Sequence, residues 1–418
     1  MQRAGVRIRS FCAERPRLVP LGYTEHMGFK TYTCPIAKKC GGCEWLAVPY
    51  PIQLQRKQEF VEELFAAVAK EDGASLEDVR GMDDPRAFRF KAATPFAPGK
   101  GGRIRSGFYA AGSHRIVRCD QCLVEDPRAR DILNSVARIA SDLRIPAYEE
   151  DRGTGCLRHA VLRCGYATDD LLLTLVTNGP SLPADKRLVK ALREAHPELT
   201  SIVQNINERR TNAILGRECK TLFGPGIMHD KLLGCTFEIG PTSFYQTNPA
   251  QTEVLYQLAL EGAALQPGMR VLDAYCGTGT IGICAAAGSN EVQVTGVEQV
   301  RGAVSCAKRN AAANGVSDRC EFIRADATQY LVKAAKAGEH FDVIIMDPPR
   351  AGSTPEFLSA VANIAPERVV YVSCNAVTQA RDLEVLRAQG YRMERLTPVD
   401  MFPHTKHVET VALLERTR

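Results

Sequence analysis

The chain has 418 residues, 45% of them hydrophobic and 24% charged, with a formal net charge of +5. That length allows two or three domains, each with its own core, and the composition is ordinary for a globular protein. No stretch approaches the roughly 20 apolar residues that cross a bilayer, and Met1 to Lys30 is arginine-rich without the apolar run of a secretory leader. Membrane and secreted classes are therefore set aside, and a cytoplasmic location is expected. In that setting fifteen cysteines point to a metal, a cluster or catalysis rather than to disulfides.

Residues 1–33 show no periodicity and read as a basic lead-in. The first chemical signal is Cys34-Pro-Ile-Ala-Lys-Lys-Cys40-Gly-Gly-Cys43, with Trp45, the only tryptophan, just beyond it. Three cysteines at these spacings can converge on one metal centre, and Gly41-Gly42 lets the backbone wrap closely around it. A fourth ligand is needed, and Cys119 and Cys122 are the candidates. All-thiolate ligation fits an iron–sulfur cluster or zinc, and spacing alone does not separate them.

The apolar positions of Tyr50 to Lys70 predict an amphipathic helix, followed by a polar connection to residue 84. Between Pro85 and Cys119 stand eight basic residues, Arg86, Arg89, Lys91, Lys100, Arg103, Arg105, Arg115 and Arg118, and no acid. This +8 segment leaves the remainder of the chain at −3. Interleaved with Phe88, Phe90, Phe96, Phe108 and Tyr109, it reads either as a solvated loop face or as a surface for a phosphate backbone and splayed bases. Residues 85–240 read as short strands and turns, with strands at Leu171–Thr177 and 201–205 and a helix at 184–195. Cys156, Cys164, Cys219 and Cys235 lack ligand spacing and are taken as core residues.

After Gly240 the character changes. A helix over 249–265 precedes the strand-turn-helix signature Met269-Arg-Val-Leu-Asp-Ala-Tyr275-Cys-Gly277-Thr-Gly279-Thr280-Ile-Gly282. Glycines at such a turn let backbone approach a ligand at a helix N-terminus. The next strand ends in Glu298, which in a doubly wound sheet sits beside that turn and can hold a ribose diol. Asp326 and Asp347 close two further strands, and Val369-Val-Tyr-Val-Ser373 leads into Cys374. Each acid singly reads as a helix N-cap. Together they mark the ligand edge of an α/β sheet. Cys374 is open to two readings, a small core residue or an exposed nucleophile. The last stretch predicts a hairpin with an insertion, in which His404, His407 and Glu409 are either structural or, for Glu409, a general base.

These motifs add up to a resemblance. Ser243-Phe-Tyr-Gln246-Thr-Asn248, Asp273-Ala-Tyr-Cys-Gly-Thr-Gly279, Gly296-Val-Glu298, Asp347-Pro-Pro-Arg350, Val372-Ser-Cys-Asn375 and Asp400-Met-Phe-Pro-His-Thr-Lys-His-Val-Glu409 resemble the bacterial RNA (uracil-5-)-methyltransferases of the TrmA, RlmC and RlmD type. The resemblance implies an α/β fold: a C-terminal class I Rossmann-like S-adenosylmethionine-dependent domain over 241–418, and an α+β iron–sulfur and RNA-binding domain over 34–50 and 84–240. The helix within 51–83 would pack on the catalytic domain. It further implies Cys374 as nucleophile and Glu409 as base. Gln246, Tyr275, Gly277, Gly279, Thr280, Glu298, Asp326 and Asp347 would line the S-adenosylmethionine and uracil pockets, and Cys34, Cys40, Cys43 and Cys122 would hold a [4Fe–4S] cluster.

With only 33 residues before Cys34, the RNA-gripping β-barrel that opens many relatives is expected to be absent. That is similar to the RlmC type, whose substrate is 23S rRNA with a flipped-out uridine; action on another rRNA site or on tRNA is the alternative. A monomer is expected. Two rivals remain: an amino-methyltransferase using Asp347-Pro-Pro, disfavoured by Arg350 in place of an aromatic, and a non-catalytic iron–sulfur RNA-binding protein, disfavoured by the intact Cys374, Glu409 and glycine turn.

Overall fold

The computed structural model describes residues 23–26, 29–289 and 291–417. The central strands of the C-terminal half alternate their side chains between two apolar cores, as a sheet covered on both faces must. Val271, Ile345, Val370 and Val372 enter one core. Their chain neighbours Leu272, Ile344, Val369 and Tyr371 enter the other. The resulting eight-stranded sheet runs, in order, Cys320–Arg324, Gln293–Glu298, Arg270–Ala274, Val343–Met346, Arg368–Ser373, Glu409–Arg416, Tyr391–Val399 and Ser75–Leu76. The first five are parallel. The pairs that Glu409–Arg416 makes with both its neighbours are antiparallel. The chain order reverses beside Arg270–Ala274, the switch point where such sheets open a crevice at their carboxyl ends.

The second sheet has six strands, in the order Glu218–Phe223, Ser201–Ile206, Leu171–Thr177, Leu157–Cys164, Lys91–Pro98 and Ile104–Ser106. Leu171–Thr177 is apolar at almost every position because both of its faces are covered. Leu171, Leu173 and Leu175 pack under the helices Pro127–Asp142 and Asp185–Ala195. Leu172 faces the catalytic core instead.

Several sequence expectations are corrected. The helix Pro127–Asp142 was not foreseen within 85–240, although Asp126 caps it, accepting from the Arg128 N–H, and Pro127 starts it. The hairpin Met228–Leu232 and Cys235–Ile239, assigned by sequence to the central domain, packs through Met228, Phe237 and Ile239 into the catalytic core. The polar connection supplies the edge strand Ser75–Leu76. Within the lead-in, Tyr23–His26 and Phe29–Tyr32 form an antiparallel pair; the rest of the expectation for 1–33 lies outside the described residues. Cys219 is exposed rather than core. Phe88 and Phe96 are buried and Phe90 is partly buried against the central core, while Phe108 lines the cavity and Tyr109 is exposed.

The helix Tyr50–Asp72 packs on the catalytic sheet through Val61, Phe65 and Ala69. Its polar inner positions hold the insertion between the last two long strands. Lys57 Nζ donates to Asp400 at 2.5 Å, the Tyr50 hydroxyl donates to the same carboxylate at 2.7 Å, and Gln53 Oε1 accepts from the His404 N–H at 2.9 Å. Both charges are fully buried, an arrangement that costs desolvation and persists only when each partner is satisfied.

Candidate active site

A cavity of about 750 Å³ opens at the carboxyl ends of the parallel strands. Its wall includes Gln246, Tyr275, Gly277, Thr280, Glu298, Asp326, Asp347, Cys374 and Glu409. Gly279 alone of the expected pocket residues does not line it. Its φ of +79° and the closeness of Phe322, 2.8 Å from where a Cβ would stand, make it a turn and packing glycine. Gly277, at φ +56° with open space around it, leaves room for a ligand against the backbone.

Each residue reaches the cavity for a local reason. Tyr275 follows the strand Arg270–Ala274 at φ +65°, a backbone conformation unfavourable for a non-glycine residue and typical of functional turns. Its ring packs on Phe357 and its hydroxyl lies 3.3 Å from Ser353 Oγ. Thr280 opens the helix Thr280–Gly288, its hydroxyl 2.9 Å from that of Tyr256. Asp326 plays both of its possible parts: it caps the next helix, accepting from the Gln329 N–H, while facing the cavity. Glu298 likewise accepts from the Val300 N–H at 2.7 Å.

Cys374 and Glu409 meet through strand register. Ser373 pairs with Thr410 in an antiparallel ladder. One residue further along, Cys374 falls opposite Glu409, and directly opposed residues point to the same face. Cys374 is half-buried just before the helix Ala376–Ala388, whose cap Asn375 also ties the turn to the Arg350 carbonyl, donating to it at 2.9 Å.

Burial raises the Cys374 thiol, with further upward pressure from Glu409 and Asp347 and an opposing pull from the Arg350 guanidinium. Glu409 is pushed up to about 8 by burial and by Asp347, again against Arg350. Asp347 is pushed up to about 7 by burial. Asp273, which accepts from the Gly282 N–H at 2.9 Å, rises to about 7 mainly by burial. Basic carboxylates and a thiol beside one cation are equipped for nucleophilic attack and proton removal.

Sequence reasoning passed over several of these residues. Arg350 and Asp273 enter the sequence reading only as members of motifs, with no role of their own. Arg89, Lys91 and Glu125, from a segment read as RNA surface, line the cavity as well. The buried hydroxyl of Thr247 and the Nε of Arg89 have no partner among the described residues. His404 is buried and structural; burial lowers it to about 4, and its Nε2 lies 3.0 Å from the Pro85 carbonyl oxygen.

Cys34, Cys40, Cys43 and Cys122 line a second, smaller pocket whose other walls include Leu46, Phe108 and Val124. Cys119, the other candidate for fourth ligand, does not line it. Arg89, Phe108 and Glu125 border both this pocket and the large cavity, so one wall separates the two.

The doubly wound sheet, its glycine turn and the acids at its strand ends define a Rossmann-like, S-adenosylmethionine-dependent methyltransferase. A family model described as tRNA (uracil-5-)-methyltransferase matches residues 231–417. The chain is 41% identical to an uncharacterized RNA methyltransferase of Halalkalibacterium halodurans over 382 residues, covering 91% of this chain and 82% of that one. It is 40% identical to a similarly described protein of Staphylococcus aureus over 380 residues, with 91% and 83% covered. Among solved structures it is similar to the Pyrococcus abyssi tRNA (uracil-54, C5)-methyltransferase in complex with S-adenosyl-L-homocysteine, with a TM-score of 0.74, 26% identity and 94% and 91% of the two chains covered. The chain belongs to the RNA (uracil-5-)-methyltransferase family.

Proposed function

We propose that this enzyme methylates carbon 5 of a flipped-out uridine in 23S rRNA through a covalent adduct between Cys374 and carbon 6 of the ring. The observation that carries this reading is the pairing of Cys374 with Glu409 at one cavity wall, beside Arg350 and below the glycine turn.

Carbon 5 of uracil is a poor nucleophile. When the Cys374 thiolate adds to carbon 6, the ring electrons move onto carbon 5 and O4 as an enolate. Tyr275, Gly277 and Glu298 would hold S-adenosylmethionine, which would supply an electrophilic methyl group for the new bond to carbon 5 as its carbon–sulfur bond breaks to give the neutral thioether. Glu409 then takes the proton from carbon 5, and expulsion of the Cys374 thiolate re-forms the carbon 5–carbon 6 double bond. A carboxylate as basic as Glu409 suits that abstraction. Arg350 favours the thiolate, and the unpartnered Thr247 hydroxyl and Arg89 Nε are donors available to a ligand's oxygens. Extruding the base costs a few kcal/mol, which the exposed Lys100, Arg105 and Arg115 can offset through backbone contacts.

For the second pocket we favour a [4Fe–4S] cluster over zinc. Cys34, Cys40, Cys43 and Cys122 line one shared pocket, the all-thiolate donor set that a [4Fe–4S] cluster takes. The shared wall gives it a structural role, holding Arg89 and Phe108 against the substrate cavity.

The test uses transcripts of 23S rRNA and tRNA. Cys374→Ala is expected to abolish methylation and the trapping of 5-fluorouridine RNA. Glu409→Gln is expected to let a covalent RNA adduct accumulate, seen as a slow band on denaturing gels. Methylation by Cys374→Ala would refute the mechanism, and methylation of the tRNA transcript alone would refute the 23S assignment.

A further inference from the structure

Cys374 borders two cavities. On the side away from the glycine turn it forms part of a groove of about 550 Å³ with Trp45, Arg56, Glu59, Phe60 and Lys406. Arg56, Glu59, Phe60 and Glu63 recur at helical spacing, so the helix Tyr50–Asp72 turns one stripe towards this groove. Phe60 is 39% exposed, unusual for a large aromatic on a helix whose other face is core. The Trp45 backbone is clamped, its N–H donating to the His404 carbonyl at 2.9 Å and its carbonyl accepting from Gln53 at 3.0 Å. The Arg56 guanidinium stands 5.6 Å from the indole centroid. The indole is thus held on a fixed backbone at the mouth of a groove that opens onto the proposed nucleophile.

The charges say what such a groove takes. Arg56 and Lys406 are balanced by Glu59 and Glu63. A groove without net positive charge does not concentrate phosphate. Aromatic faces do stack bases, and carboxylates accept hydrogen bonds from the amino groups of adenine, cytosine and guanine, which uracil lacks. We infer that this groove is a subsite for the base of the nucleotide adjoining the target uridine, and that it selects an amino-bearing base there. The inference rests on the reading of Cys374 as the group that receives the flipped uridine. Continuity through Cys374 sets the distance, since a neighbouring nucleotide on the same strand must lie beside whatever the thiol attacks.

The lone tryptophan makes the test direct. The full chain, with S-adenosylhomocysteine present, is titrated with single-stranded RNA heptamers carrying a central uridine flanked by adenosines, while Trp45 emission is followed. Quenching is expected, together with about tenfold weaker binding when one flanking adenosine is made abasic or replaced by uridine. Phe60→Ala is expected to raise the KM for RNA about tenfold while leaving the KM for S-adenosylmethionine unchanged. Emission unmoved by the heptamers, or equal affinity for every flank, overturns the subsite. A 5-fluorouridine heptamer separates the two readings. If it is trapped at Cys374 while Trp45 stays silent, the subsite alone falls. Quenching without trapping keeps the groove as an RNA surface and removes the covalent mechanism.

Discussion

At the scale of single residues, the site is a contest between burial and one cation. Burial and two carboxylates raise the Cys374 thiol, and Arg350 opposes them. Because Arg350 itself is exposed, solvent screens its pull on the thiol and its influence is modest. Arg350→Met is therefore expected to slow adduct formation up to about tenfold at pH 7. The loss should shrink as the pH rises and the thiolate forms without help. A pH profile of single-turnover methylation reads this, and a loss independent of pH would assign Arg350 to RNA contact instead. The same profile for the unaltered enzyme is expected to rise from pH 7 towards pH 9. In the proposed mechanism both groups act in deprotonated form, and both are raised, Glu409 to about 8. Residue chemistry of this kind was partly legible in the sequence. Cys374 ends a run of buried β-branched residues in an obvious motif, whereas Arg350 follows two prolines in a loop, where nothing local tells that its side chain serves a thiol on another strand.

The secondary elements set where those residues stand. The insertion carrying residues 400–408 has little core of its own and is fixed by the buried side chains of the helix Tyr50–Asp72. Removing one partner there strands a charge in the interior, so Lys57→Met is expected to cost about 3–5 kcal/mol of stability and to lower turnover by loosening Glu409. The double variant Lys57→Met/Asp400→Leu should recover most of that stability, which denaturant titration measures. No recovery would mean that Lys57 acts through packing rather than charge. The sequence predicted this helix well, because its apolar spacing is regular. It gave no sign of Lys57, whose position on the inner face reads as a break in the pattern. The central domain was harder: which of Phe88, Phe96 and Phe108 reach the surface depends on strand pairing with residues far along the chain. Pro127–Asp142, by contrast, had its signals in view, with an Asp-Pro start and apolar residues at 132, 133, 136 and 140, hidden only by the strand-like run around them.

At the scale of the whole molecule, the catalytic crevice carries an electrostatic cost that depends on pH. Burial pushes Asp273 and Asp347 up to about 7 and Glu409 up to about 8. The native state therefore binds more protons than the unfolded chain between the ordinary carboxylate range and about pH 8. Their contribution is fully present only below the ordinary carboxylate range and is lost progressively as pH rises from there to about 8. The ligand-free protein is expected to melt at lower temperature at pH 8.5 than at pH 6, in calorimetry at matched ionic strength; a melting point that climbs over this range would contradict the assignment. The cysteine pocket joins the two halves through its shared wall, so iron chelation is expected to weaken RNA binding more than S-adenosylhomocysteine binding. Equal loss of both would show a general collapse instead.

The ladder that sets Glu409 across from Cys374 leaves the enzyme sensitive to parity. Deleting one residue between Glu409 and Leu413 would turn the carboxylate towards the opposite side of the sheet. Deleting two would restore its side but withdraw it by roughly 7 Å. Odd and even deletions in this one strand should thus fail in different ways, the first by losing the proposed proton acceptor and the second by stranding it out of reach.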